Sequence, residues 1–256
     1  MSPQYRELGH DERVDAVPSS QKRVAILAPM RPELKAVVKA GGLTRTSNGT
    51  VFSHQGSIGD WSVSAGIIGM GPVMAREATE RMLATGPFDH VMVVGIAGGL
   101  DPTLPVGSLI VPSRVRLHPD GPVHTTRPLP SRVPDGGLMT TIGLFSDDEI
   151  WQPILASGYG AVDMEASGVG DACESANVDW SVYRGISDRP DEHIVDQGVF
   201  ALSKEDGSPD FMAVAKYVAR DPRRVKALAH LNRCMGVAAK VAAEAAFLDL
   251  AQSNSS

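Results

Sequence analysis

Four short segments of this chain carry side chains suited to bond-making chemistry: Met30 with Glu33, the run Gly95-Ile96-Ala97-Gly98-Gly99, Met164-Glu165, and Ser187-Asp188. Carboxylic acids give or take protons, accept hydrogen bonds from hydroxyls and balance developing positive charge. A glycine-rich turn lets backbone approach a ligand closely. Taken singly, each acid reads equally well as a helix N-terminal carboxylate complementing the dipole, and each glycine as a turn. All four lie at the ends of apolar runs that read as strands. In an open α/β sheet, ligands bind outside the carboxyl ends of the strands, so the four together predict one shared pocket.

The elements that must position them follow from hydrophobic patterning. Short β-branched apolar runs alternate with longer helical patterns, which predicts an α/β fold. Val24–Ala28 reads as a first strand, followed by a helix from Arg31 with Pro32 in its first turn and Gly41-Gly42 as its stop. Strands are expected from Thr50 to Gly56, Trp61 to Ile68, His90 to Val94, Ser108 to Val111, Leu138 to Leu144, Ala161 to Met164 and Trp180 to Ile186. Helices are expected from Pro72 to Thr85, Asp147 to Ser157, Glu165 to Ala176, and from about Phe211 onward. Residues 118–137, rich in Pro and Gly, read as a long loop. Residues 1–22 read as a solvated, disordered tail and 23–251 as a single domain.

Composition narrows the function. The 256 residues carry 24 Lys and Arg against 30 Asp and Glu, a net charge of −6. That balance argues against a nucleic-acid backbone or an anionic membrane as the partner and favours a small molecule. Cys173 and Cys234 sit among apolar residues as buried thiols, which suits an intracellular, cytoplasmic protein. The seven histidines are scattered without ligand spacing, so no metal is expected. Gly66-Ile67-Ile68-Gly69-Met70-Gly71 fails the dinucleotide fingerprint, because Met74 stands where its third glycine belongs, and no P-loop occurs. No cofactor is expected.

The segments VAILAPMRPEL, GIAGGLDPTLPVGSLIVPS, GAVDMEA and VYRGISDRPDE resemble those of the nucleoside phosphorylase and nucleosidase superfamily, in its order and at roughly its spacing. The likeness is nearest to 5′-methylthioadenosine/S-adenosylhomocysteine nucleosidases and spans about residues 24–250. It implies a three-layer α/β/α fold around a central twisted mixed β-sheet, assembled as a homodimer or higher oligomer. It further implies that Asp188 protonates the purine at N7, with Ser187 beside it, and that Glu33 activates water. Glu165 would accept hydrogen bonds from ribose hydroxyls and Met164 would pack under the sugar. Gly98, with Ala97 and Ile96, would touch substrate, while Phe145 would stack on the base and Ser146 read its edge through the backbone. Phosphorylases of the superfamily hold phosphate with an arginine and a serine where this chain has Val93 and Ile96. Apolar side chains leave a dianion's desolvation uncompensated, so water is the expected nucleophile. A phosphorylase and a non-catalytic nucleoside-binding protein are the alternatives.

Overall fold

The computed structural model describes residues 21–46, 51–143, 148–189 and 224–253. Among them, eleven strands form one mixed sheet. The strands are β1 (Lys22–Ala28), β2 (Thr44–Arg45), β3 (His54–Ile58), β4 (Trp61–Ile67), β5 (His90–Gly99), β6 (Leu109–Ile110), β7 (Arg114–Leu117), β8 (Val123–Thr125), β9 (Gly137–Thr140), β10 (Tyr159–Asp163) and β11 (Trp180–Asp188). The helices are α1 (Arg31–Gly41), α2 (Pro72–Leu83), α3 (Asp148–Ala156), α4 (Ala166–Ser175) and α5 (Arg224–Gln252).

The strand order is β2-β3-β4-β1-β5-β10-β9-β7-β8, with β11 paired to β5 and β6. β5 is the axis of this arrangement. Its first half pairs in parallel with β1, its glycine end pairs antiparallel with β10, and β11 runs parallel along it from Trp180 to Asp188. Val24 to Ala28 and His90 to Gly95 are buried throughout, as their unbroken apolar character requires of strands covered on both faces. One core layer packs Ala75, Ala78 and Met82 of α2 and Val169 and Cys173 of α4 against Leu27, Val93 and Val182. On the other face, Leu34 and Val37 of α1 meet Ala242, Ala246, Phe247 and Leu250 of α5 over Ile26, Met92 and Tyr183. The three expected layers are present.

Several boundaries differ from the sequence reading: β5 continues through the glycines to Gly99, β3 starts at His54, β9 ends at Thr140, and the short strands β2 and β7 were not expected. β1 begins at Lys22, one residue inside the expected tail; residues 1–20 lie outside the described part. Residues 118–137 are not all loop, because Val123–Thr125 pairs antiparallel with Arg114–Arg116 as a hairpin. The apolar pattern missed it because only His124 of the three residues points inward. The expected start of the last helix near Phe211 lies outside the described residues, and α5 is described from Arg224.

Helix–helix approach is close where α2 meets α4. A Cβ on Gly168 would lie 1.9 Å from the Pro72 carbonyl oxygen, so this position requires hydrogen. Gly168→Ala is expected to force the helices apart at a cost of about 1–3 kcal/mol. Calorimetry should record this as a fall in Tm of several degrees, and an unchanged Tm would contradict the contact.

Candidate active site

Glu33 occupies the third position of α1, where its Oε2 accepts the Met30 N–H at 3.0 Å. This closes the helix N-terminus by a reciprocal bond of the capping-box kind. The other oxygen reaches across to β5, and Oε1 accepts the Ile96 N–H at 2.8 Å. Gly95 makes the crossing possible, since a Cβ there would stand 2.1 Å from Glu33 Oε1 and 2.5 Å from Arg184 Nη1.

Glu165 is the N-cap residue of α4. Its Oε1 accepts the Gly71 N–H at 3.3 Å, tying the glycine turn before α2 to the end of β10. Gly71 has φ of 93°, a conformation that suits glycine. Met164, half-buried, precedes Glu165 at the same strand end.

Between these glutamates lies a residue that the motif reading missed. Arg184, in the middle of β11, is wholly buried. Its Nη2 donates to Asp163 Oδ2 and, at 3.1 Å, to Glu165 Oε2, while Nη1 lies 3.6 Å from Glu33 Oε1. Glu33, Asp163 and Glu165 are themselves buried, so three carboxyl groups share one guanidinium. The signal was visible: Trp180-Ser181-Val182-Tyr183-Arg184-Gly185-Ile186 places a charge inside an otherwise apolar strand, and such a charge requires partners. Asp163 was likewise passed over as part of a strand.

Burial chiefly raises the Glu33 pKa, with Asp163 adding to it, while Arg184 and the Ile96 and Met30 amides oppose; the result is about 7. For Glu165, burial again leads, Arg184 opposes, and Asp163 and Glu33 push further up, to about 8. Arg184 is held above its ordinary value: its own burial acts against the charge, but Asp163, Glu165 and Glu33 outweigh it.

At the end of β11 the register with β5 shifts between Ile186 and Asp188, leaving Ser187 as the extra residue and Asp188 opposite Gly98. Such irregularities re-aim side chains. The Ser187 hydroxyl donates to Asp188 Oδ1 and lies 3.3 Å from the Ala97 carbonyl oxygen. A Cβ on Gly98 would lie 3.5 Å from Asp188 Oδ2. Glu33, Ile96, Ala97, Gly98, Met164, Glu165, Ser187 and Asp188 therefore gather around the carboxyl ends of β1, β5, β10 and β11. Phe145 and Ser146 lie outside the described residues. Val93 is buried in the core beneath α2 and α4, and Ile96 contributes its amide to Glu33. Among the described residues, no group of three or more His, Cys, Asp or Glu is placed to hold a metal ion, and no helix is long and apolar enough to cross a membrane.

A mixed sheet between helical layers, with buried acids at its strand ends, defines an α/β protein with the nucleoside phosphorylase-like fold, and comparison with known proteins agrees. Residues 23–143 match the family model described as the phosphorylase superfamily. The chain is 27% identical over 197 residues to the 5′-methylthioadenosine/S-adenosylhomocysteine nucleosidase of Pseudoalteromonas translucida, which covers 64% of this chain and 83% of the relative. Two solved Helicobacter pylori structures share the fold, each with a TM-score of 0.66. One is a 5′-methylthioadenosine/S-adenosylhomocysteine nucleosidase, 17% identical and covering 91% of this chain and 99% of its own. The other is a futalosine hydrolase, 16% identical and covering 90% and 98%. The likeness to the phosphorylase superfamily thus extends from the family match over residues 23–143 to the fold of the whole described sheet.

The raised glutamates carry a stability consequence. Both begin from an ordinary value of 4.5 and rise to about 7 and about 8 on folding. Between those limits the folded protein holds protons that the unfolded chain has released. The stability these protons contribute is fully present below about pH 4.5 and is lost as pH rises through the folded values. The Tm of the ligand-free protein is expected to fall from about pH 5 to pH 8, with a shallower slope in Glu33→Gln. An identical slope in wild type and variant would contradict the raised value.

Proposed function

We propose that the protein hydrolyses the N-glycosidic bond of a purine nucleoside, a 5′-modified adenosine of the methylthioadenosine or S-adenosylhomocysteine kind, releasing free base and sugar. The observation that carries this reading is the pair of buried glutamates flanking one guanidinium, at the strand ends where Asp188 also lies.

Cleavage of this bond passes through a ribosyl cation, so three demands arise. The departing purine needs a proton, which the Asp188 carboxyl supplies to N7 as the bond from C1′ to the base breaks. The cation needs negative charge nearby, and Glu165, accepting hydrogen bonds from the ribose hydroxyls, provides it. Water must add to C1′ and lose a proton, which Glu33 takes. A base with a pKa near the working pH is best suited to that step, and burial places Glu33 there. Ser187 orients the acid, the Gly98 turn admits the ligand, and Met164 packs under the sugar. Phe145 and Ser146 serve the base.

Water rather than phosphate is the nucleophile in this reading. Val93 lies in the core and presents nothing to an anion, and the Glu33 carboxylate repels one. The resemblance supports a cytoplasmic homodimer or higher oligomer, and the exposed Val73 and Met74, on the first turn of α2 beside Gly71, offer an apolar patch to a second copy.

Incubation with 5′-methylthioadenosine and S-adenosylhomocysteine should release adenine and free sugar at a rate indifferent to millimolar phosphate. Asp188→Asn and Glu33→Gln should each lower that rate by about 10²–10⁴-fold while the fold is kept. Ribose 1-phosphate as the main product, or strict dependence on phosphate, would make the protein a phosphorylase. Binding without turnover would make it a nucleoside-binding protein.

A further inference from the structure

Asp163 has no role in the reaction as described, yet it is the carboxylate most firmly seated on Arg184. We propose that Asp163 is a positioning residue that holds Arg184 in a fixed ion pair, so that the guanidinium, hydrogen-bonded to Glu165, faces Glu33 without clamping it. This rests on the hydrolytic reading of Glu33.

Every oxygen of Asp163 is engaged. Oδ1 accepts the Thr140 hydroxyl at 2.7 Å, and Oδ2 accepts both the Ala166 N–H at 3.0 Å and Arg184 Nη2. Thr140 is fixed in turn, its Oγ1 accepting the Ser167 N–H at 2.9 Å. Asp163 is thereby anchored to β9, to the first turn of α4 and to β11. The contacts to Arg184 then lengthen, to 3.1 Å at Glu165 and 3.6 Å at Glu33. The Nη1 and Nε atoms of Arg184 are buried without a hydrogen-bond partner. The guanidinium thus faces Glu33 by charge alone, although a two-pronged bond to a carboxylate is its preferred geometry.

The charged groups gathered here are Glu33 from α1, Asp163 from β10, Glu165 at the head of α4, and Arg184 and Asp188 from β11; the Ile96 amide adds a dipole from β5. Without the Asp163 charge, Arg184 would be balanced by the two glutamates alone. Both would then favour the ionised form, and Glu33 would become a weaker base. Asp163 prevents this by taking up the cation and by adding its own negative charge to theirs.

Asp163→Asn tests the proposal almost without change of shape. The amide oxygen can keep the Ala166 and Arg184 bonds while the amide nitrogen donates to Thr140 Oγ1. The acid limb of the kcat–pH profile should move about one unit toward lower pH, and plateau kcat should fall about tenfold. Thr140→Val retains the Asp163 charge and should lower Tm while leaving the limb in place. A limb unmoved in Asp163→Asn, with only Tm and kcat reduced, would show a merely structural role and overturn the proposal. If Asp163→Asn fails to fold, Asp163→Glu keeps the charge, and its limb should stay where the wild-type limb lies; an acid shift there would equally overturn it.

Infrared titration of the buried carboxyl stretch, without substrate, separates this proposal from the hydrolytic reading. Wild type that titrates near neutrality, with an acid shift in Asp163→Asn, supports the electrostatic role even if no nucleoside is cleaved. Absence of that shift overturns the role even if hydrolysis proceeds.

Discussion

A buried arginine in the middle of a strand is the constraint around which the rest of this structure is arranged. Arg184 lies inside the sheet, where an unpaired charge costs several kcal/mol or more. Its partners come from three other places in the chain: Glu33 after β1, Asp163 at the end of β10, and Glu165 at the head of α4. Breaking such a cluster by removing one partner leaves uncompensated charge, so the carboxyl ends of these strands are held together by electrostatics as well as by the apolar layers on either side. Burial chiefly shifts the ionisation of the two glutamates to the neutral range, and the presence of three acids around one cation adds to it.

The fold delivers these groups by giving single residues two tasks. Glu33 closes the first turn of α1 with one oxygen and reaches the Ile96 amide with the other. Glu165 heads α4 and also fixes the Gly71 turn. For Glu33, capping a helix and reaching the site are compatible, because a carboxylate has two oxygens and the helix N-terminus takes one. Glu165 heads α4 without a side-chain bond to it, so its two oxygens serve Gly71 and Arg184. The glycines do complementary work: Gly95 leaves room for Glu33 and Arg184, and Gly98 leaves room beside Asp188.

Much of this was legible in the sequence. The apolar runs located the core strands, and the acids at their ends marked the place where they converge. What escaped the reading has physical reasons. Residues 118–137 read as a loop because the β8 hairpin is short, at the sheet edge, and turns only His124 inward. Arg184 escaped because motif reasoning looked for acids and glycines at strand ends, and Asp163 because it reads as part of its strand, with Met164-Glu165 as the marked end. The importance of both comes from pairing between β10 and β11, which are not neighbours in the sheet path. Pairing of that kind is a tertiary property; only the presence of an arginine within an apolar strand hinted at it.

The buried carboxyl groups of the site hold protons near neutral pH, and the proposed nucleoside binding draws one of them off. Hydroxyl donors favour the ionised form of an acceptor, so Glu165, raised to about 8 in the free protein, shifts toward its ionised form if it accepts ribose hydroxyls as proposed. Isothermal titration calorimetry of a non-hydrolysable 5′-alkylthio nucleoside analogue, at pH 7 in buffers of differing ionisation enthalpy, measures this directly. Binding should release a substantial fraction of a proton per site, diminishing toward pH 9. Binding heats independent of the buffer, or net proton uptake, would contradict it.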